Sequence, residues 1–514
     1  MSKRETINSK IYVDKTEFIQ FTNELINTRQ KFICISRPRR FGKSITAEMM
    51  AAYYGKGYDS NELFCNYKIA HHADYQKHLN QYHVIMLNMQ YFLSRTKNIE
   101  DMLHSLQKKI IRDLKKAFPA IDLEDETLLS EILEIIYSET SERFIFILDE
   151  WDCILREKQC ALEEHKKYLD FLRNLLKDKV YVALAYMTGI LPIKKYGTHS
   201  ALNMFGEYSM IDSGDFAPYV GFTKQEVQEL CTTFHIDFEK AKEWYDGYVL
   251  EPELHIYNPK SVVDSIHRKK FANYWTRTET FEALKKYIIL NYNGLKDAVI
   301  EMLAGGRIKI NCNLFQNDMN TFSSKDDVLT LLVHLGYLAY DSVKEQVFIP
   351  NAEVRGEFVT AIQSSNWQEV MSLLEQSEQL LHATWNEDSE TVAHMIDAVH
   401  MDNTSILSYN NENSLSCVIS LAYYNARNEY HLVRELPAGK GYADIAFLPK
   451  PHFDKPAMVI ELKYDKSAQG AICQIKDKKY ASALKDYQGD ILLVGINYDK
   501  ETKEHSCVIE RERV

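Results

Sequence analysis

Phe144-Ile145-Phe146-Ile147-Leu148 is an uninterrupted apolar run that stops abruptly at Asp149-Glu150. Strands covered on one face alternate apolar and polar residues. An unbroken run is what a strand needs when both faces are covered, so it predicts a parallel sheet between helices. Such sheets bind ligands outside the carboxyl ends of their strands. A second run, Lys31-Phe32-Ile33-Cys34-Ile35, leads into Ser36-Arg37-Pro38-Arg39-Arg40-Phe41-Gly42-Lys43-Ser44 and then a helical pattern from Ile45 to Tyr54. Strand, loop, Gly-Lys-Ser and helix is the order of a phosphate-binding loop. Loop N–H groups and the helix N-terminus cradle phosphate, Lys43 reaches the β and γ phosphates, and the Ser44 hydroxyl takes Mg²⁺. The strict pattern asks for glycine where Arg37 stands. A third run, Val180 to Tyr186, ends in Met187-Thr188-Gly189 and offers Thr188 as a γ-phosphate sensor. On this reading Asp149 holds Mg²⁺ through water, and Glu150 orients or deprotonates the attacking water.

The C-terminal part carries a second constellation. Gly441-Tyr442-Ala443-Asp444 is followed by Val459-Ile460-Glu461-Leu462-Lys463. Residues two apart in a strand share a face, which puts Glu461 with Lys463. Asp444 joins them if Ala443–Phe447 pairs across the loop holding Pro449, Pro451 and Pro456. Two carboxylates that ligate Mg²⁺, beside a lysine that positions water or stabilises phosphate, suit phosphodiester hydrolysis. The bland alternative for Glu461-Leu462-Lys463 is an ordinary solvent-facing alternation.

Around this pair lie Glu412 at the head of a helical stretch (Asn413 to Arg427), a strand (Tyr430–Leu436), glycines (Gly439 and Gly441), a second helical stretch (with Gln474, Lys478 and Tyr480) and a strand (Ile491–Ile496). That order, over roughly 405–500, resembles the PD-(D/E)XK nuclease superfamily, in the branch fused to an AAA-ATPase-like domain. The resemblance implies that Asp444 and Glu461 bind metal, Lys463 is catalytic, Glu412 supports the metal and Gln474 assists. Tyr442 departs from relatives that often carry arginine there. The N-terminal motifs resemble the AAA-ATPase-like family of the same fusions: Ile11-Tyr12-Val13-Asp14-Lys15-Thr16, the loop above, Leu148 to Asp152, Met187 to Gly189, Trp244 to Tyr248 and Tyr257 to Ser261. In that family Arg37 is typical of the loop. The nucleotide pocket is then expected from Arg37, Arg39, Arg40, Phe41, Gly42, Lys43, Ser44, Asp149 and Thr188, with Ser44 and Asp149 on the metal. ATP and Mg²⁺ are the expected cofactors.

The expected fold is α/β: a P-loop NTPase parallel sheet with a helical lid and middle region, then a C-terminal α/β restriction-endonuclease-like domain. At 514 residues two or three domains are expected, at 1–205, 206–385 and 386–514. Thr223 to Gly247 reads as a helical lid. Asp326 to Tyr340 with Val347–Pro350 reads as a helix and hairpin, either a winged-helix module or, as its apolar helix favours, a packing module. Ser364 to Val399 reads as a helical connector. The nine cysteines, Cys34, Cys153 and Cys473 among them, are scattered without metal-ligand spacing and read as reduced. No apolar run suits a membrane span or signal peptide, so a cytoplasmic protein is expected.

A net charge of −12 argues against a basic nucleic-acid-coating protein, though Lys463, Lys466, Lys476, Lys478 and Lys479 would form a local basic groove, unless the last three are simply a solvated helix face. Nucleic acid, DNA ahead of RNA, is the expected partner; a homo-oligomer or a protein partner stays open. The leading function is an ATP-controlled nuclease. The alternatives are a nucleotide-dependent scaffold whose nuclease-like domain does not cut, and a remodelling ATPase using an intersubunit arginine such as Arg156 or Arg173.

Overall fold

The computed structural model describes residues 2–123, 128–157, 162–193, 202–251, 253–275, 280–290, 292, 294–316, 322–363, 367–402, 412–438, 441–451, 453–478, 487 and 489–513. They divide into two compact units, Met1–Glu279 with Lys309–Gly356, and Thr280–Ile308 with Glu357–Val514.

The first unit is built on five parallel strands: β1 (Phe32–Ser36), β2 (His83–Asn88), β3 (Phe144–Asp149), β4 (Val182–Gly189) and β5 (Gly206–Tyr208). Their order is β2-β3-β4-β1-β5. Every residue of β1, β3 and β4 is buried, as their unbroken apolar runs require. Phe144, Phe146 and Leu148 pack into one layer with Leu106, Leu133 and Leu172 from the helices Ile99–Ala117, Leu129–Thr140 and Leu162–Leu176. The helix Lys43–Tyr54 packs against β2, β3 and β4. Because β4 lies between β1 and β3, Thr188 falls between the loop after β1 and the end of β3.

The expected lid region consists of helices Lys224–Phe234 and Phe238–Tyr245, the first started by a capping box between Thr223 and Glu226. They accompany a three-stranded sheet, β6 (Phe222–Thr223), β7 (Tyr248–Glu251) and β8 (Leu254–Tyr257), ordered β6-β8-β7. Further along the chain, β9 (Ile308–Lys309), the helix Lys325–Leu335 and the hairpin of β10 (Ala339–Asp341) and β11 (Gln346–Phe348) follow. That helix is buried from Asp327 to His334, so it packs rather than presents a face to DNA. Glu353 accepts hydrogen bonds from Ser261 Oγ and from the Tyr274 and Trp275 N–H groups, fastening this segment to the helix Pro259–Arg268.

The second unit holds a mixed sheet, β12 (Tyr430–Ala438), β13 (Gly441–Pro449), β14 (Ala457–Tyr464), β15 (Asp490–Asp499) and β16 (Glu504–Arg513), in sequential order. Only β14 and β15 run parallel; the other neighbours are antiparallel. The parallel step is made by the helix Ala468–Asp477, which packs on β14 and β15. The segment read as a connector forms helices Gln368–Trp385 and Ser389–Asp402, and the second lies against β16. Glu412 starts the helix Glu412–Ala422. Among the described residues no helix is long and apolar enough to cross a membrane. The described cysteines, Cys34, Cys153 and Cys473 among them, are free thiols.

Candidate active sites

Three of the strands end in a polar residue at the carboxyl edge of the parallel sheet, Ser36, Asn88 and Asp149, and β4 carries Thr188 one residue before its last, Gly189. Asp149 is the meeting point. Its Oδ2 accepts from Ser44 Oγ at 2.8 Å and Asn88 Nδ2 at 3.2 Å, and its Oδ1 accepts from Thr188 Oγ1. The carboxylate is 2% exposed, and three donors fix its orientation. The loop before the helix turns through two left-handed residues, Arg40 (φ 69°) and Gly42 (φ 96°). A Cβ at Gly42 would meet nothing within 4 Å, so the helix N-terminus faces open space, as an anion cradle requires. Lys43 is 7% exposed, and its Nζ donates to the main-chain oxygens of Arg37 and Pro38, both at 2.8 Å. Burial brings this ammonium down to about 8, against the pull of Asp152 and Glu150.

Arg37 turns inward. It is fully buried, and its Nη1 donates to the oxygens of Ser36 at 3.0 Å, Tyr208 at 3.3 Å and Ser209 at 2.6 Å. The residue standing where the strict motif has glycine therefore fastens the loop to the end of β5. Its Nε and Nη2 have no hydrogen-bond partner among the described residues. Phe41 is buried edge-on to Tyr248 with ring centroids 5.5 Å apart, and Arg39 is half-buried with its carbonyl accepting from Trp275 Nε1 at 3.2 Å. Tyr248 in turn donates to the Gly336 carbonyl at 2.6 Å. The Trp244 to Tyr248 motif thus helps to back the phosphate loop.

Glu150 follows Asp149 in a left-handed conformation, φ 55°. Its N–H donates to Thr188 Oγ1 at 3.3 Å. Asp152, fully buried, caps the chain leaving β4 by accepting from the N–H groups of Ile190 at 2.9 Å and Leu191 at 2.8 Å. Gly189 must be glycine for this approach, since a Cβ there would lie 2.7 Å from Trp151 Nε1 and 3.0 Å from Asp152 Cγ. Asp152 is the carboxylate to which the sequence, with Asp149 as the alternative, would pin an arginine of the phosphate loop, whereas Arg37 is held by main-chain oxygens; Asn88 has no role in that reading. Asn88 had a signal: like Asp149, it is the first polar residue after an apolar strand. Arg156 is, with Arg173, a candidate intersubunit arginine only under the alternative of a remodelling ATPase. The Arg156 side chain is 4% exposed and paired to Glu150 and Asp152 of the same unit. Arg173 is exposed on the helix Leu162–Leu176.

In the second unit the ladder between β13 and β14 runs only from Phe447↔Met458 to Ile445↔Ile460. Beyond it, the Leu462 N–H donates to Asp444 Oδ2 at 2.8 Å. The side chain of Asp444 takes the place of a backbone acceptor and is thereby held beside Glu461. Glu461 and Lys463, 2% and 7% exposed, share a face as alternation demands, and Lys463 Nζ donates to Glu461 Oε1 at 2.8 Å. Gln474 Nε2, from the helix Ala468–Asp477, donates to the same oxygen. Glu461 Oε2 is buried with no hydrogen-bond partner among the described residues. Burial, and after it the charge of Asp444, push the Glu461 carboxyl above its ordinary range, with Lys463 pulling the other way.

Among the described residues no group of three or more His, Cys, Asp or Glu side chains is placed to hold a metal. The Glu412 side chain, Gly439, Lys479 and Tyr480 lie outside the described residues. Tyr442 is 63% exposed. The basic groove is thinner than its lysines suggested, because Lys463 is tied to Glu461 and Lys476 to Glu510.

Residues 4–198 match the family described as Predicted AAA-ATPase, and residues 410–507 match the PD-(D/E)XK nuclease superfamily. A protein of Azotobacter chroococcum mcd 1, "Uncharacterized protein in vnfD 5'region", is 24% identical over 276 residues, 52% of this chain and 51% of its own length. The chain thus spans about half the length of this curated relative. Among solved structures, the Aeropyrum pernix ORC2 protein in its ADPNP–ADP complexes aligns at 10% identity with a TM-score of 0.31, covering 69% of this chain and 97% of that one. The chain is an AAA-ATPase-like domain, residues 4–198, fused to a PD-(D/E)XK nuclease superfamily domain, residues 410–507.

Proposed function

We propose that this protein is a nuclease that cleaves phosphodiester bonds with a divalent metal under the control of ATP bound in its N-terminal unit. The observation that carries the reading is the buried Glu461, whose Oε2 has no partner among the described residues while Oε1 is held by Lys463 and Gln474. A dry carboxylate oxygen beside a second carboxylate is costly unless a cation completes it. The residues present fit Mg²⁺, which needs only one or two carboxylates and keeps its waters, so Asp444 and Glu461 suffice without a third acidic group. The chemistry a divalent ion supplies when bound there is activation of water and neutralisation of phosphate charge. Lys463 stabilises the charge that builds on the phosphate, and Gln474 fixes the Glu461 carboxylate.

In the N-terminal unit Ser44 and Asp149 are the residues that would hold Mg²⁺, Lys43 exchanges its two loop carbonyls for phosphate oxygens, Glu150 orients water and Thr188 senses the γ-phosphate. DNA is favoured over RNA as substrate, in a cytoplasmic protein of bacterial defence or genome maintenance. The test is incubation of the purified protein with single- and double-stranded DNA and RNA, with Mg²⁺ or Mn²⁺, with and without ATP. Cleavage that Asp444→Ala abolishes supports the reading. Substrate binding without cleavage under every condition replaces it with the scaffold.

A further inference from the structure

We propose that Arg156 is the positioning residue of the ATPase site: its guanidinium fixes the Glu150 carboxylate by tying it to Asp152. The inference rests on the reading of the N-terminal unit as an ATP-hydrolysing site and deepens it.

Glu150 is a residue that needs holding. Its φ of 55° is a conformation side chains adopt at a cost, kept only where the surroundings impose it. Its side chain is 37% exposed, so solvent alone would leave it free to sample rotamers. The Arg156 Nη2 reaches Glu150 Oε2 at 3.3 Å, while its Nε donates to Asp152 Oδ2 at 3.0 Å. Asp152 has no freedom of its own. It is fully buried, and the same Oδ2 accepts from the Ile190 and Leu191 N–H groups that leave β4 just past Thr188 and Gly189.

A line of contacts therefore runs from the carboxyl end of β4 through Asp152 and Arg156 to Glu150. A planar guanidinium with separate donors on two carboxylates sets their relative placement. A lysine ammonium keeps the charge and loses that geometry. Since Arg156 meets Glu150 and leaves Lys43, Ser44 and Asp149 to hold nucleotide, its effect falls on turnover rather than affinity.

The test is Arg156→Lys, which spares Asp152 the loss of its counter-charge that Arg156→Ala would cause, measured with ATP, Mg²⁺ and the full chain. The expected result is a fall in kcat of about tenfold to a hundredfold, as for misplacement of a reacting group by about 1 Å, with KM for ATP little changed. In a Glu150→Gln background, Arg156→Lys produces no further loss, because its target is already gone. Wild-type kcat in Arg156→Lys overturns the proposal, as does a raised kcat, which would make Arg156 a restraint. A loss carried by KM, or one that adds to that of Glu150→Gln, overturns it too. Absence of turnover in the wild type overturns the hydrolysis reading and the proposal with it. Matching thermal unfolding of wild type and variant separates all of these from misfolding.

Discussion

Replacing Gly336, almost 300 residues beyond the phosphate loop, should weaken ATP binding. Gly336 ends the helix Lys325–Leu335 at φ 88°, where a side chain costs about 1–2 kcal/mol. An alanine Cβ would also stand 2.8 Å from Pro38 Cβ and Cγ and 3.1 Å from Trp275 Cζ2. Carbon atoms in contact rest about 3.5–4.0 Å apart, so the loop or the helix end must yield by roughly 1 Å. Overpacking of that kind costs about 1–3 kcal/mol. Pro38 belongs to the loop and its carbonyl is held by Lys43, while the Gly336 carbonyl is held by Tyr248, so the strain divides between the two sides. If about half the strain is relieved by displacing the loop, nucleotide must restore it, and affinity falls by about 0.5–1.5 kcal/mol, or roughly two- to twelvefold. Gly57→Ala is the control. Its φ of 102° imposes the same backbone cost, yet a Cβ there meets nothing within 4 Å. Calorimetric titration with ATP and Mg²⁺ on both variants, alongside urea unfolding, reads the two effects separately. Wild-type affinity in Gly336→Ala would show that the loop does not feel the segment behind it.

Arg37→Lys should destabilise the first unit by about 2–3 kcal/mol, since a buried guanidinium that supports three main-chain oxygens is replaced by a group that cannot span them; an unchanged denaturant midpoint contradicts the inward role. ATP affinity should fall as pH rises above about 8, by at most about tenfold per unit, because burial depresses Lys43 from 10.5 to about 8 and phosphate must recharge it. The sign agrees with stability: between about 8 and 10.5 the unfolded chain holds a proton the free folded one has lost, so the nucleotide-free protein gains stability from this group as pH climbs through that window. Calorimetry at pH 9 in buffers of different ionisation heat should register proton uptake on ATP binding, and buffer-independent heats would contradict it.

The sites legible in the sequence were those where a strand runs out. Asp149 and Thr188 each follow an apolar run, and Glu461 and Lys463 obey strand alternation, so their placement needed no tertiary knowledge. Arg37 was harder to read. In a run of arginines beside Gly-Lys-Ser it looks like a phosphate contact, and its inward turn depends on where β5 lies, 171 residues away at Tyr208. The pairing of Arg156 with Glu150 and Asp152 was equally hidden, because a helical arginine shows its direction only once packed. Strand β16 went unanticipated: its Glu510-Arg511-Glu512-Arg513 end is polar because it is an edge, where charges blunt further pairing. The Asp444–Leu462 contact arises where β13 and β14 part, a divergence that residue pattern does not encode.

Coupling of an ATP site to a metal-dependent cleavage site in one chain is read by DNA cleavage with Mg²⁺ or Mn²⁺, with and without ATP, by wild type, Lys43→Ala and Glu461→Gln. ATP should change the wild-type cleavage rate, and Lys43→Ala should cleave at a rate ATP no longer alters. Glu461→Gln should bind ATP normally and cut nothing, because the two sites lie in separate units. Wild-type cleavage indifferent to ATP would rule out the coupling, and cleavage that survives in Glu461→Gln would rule out the cleavage site.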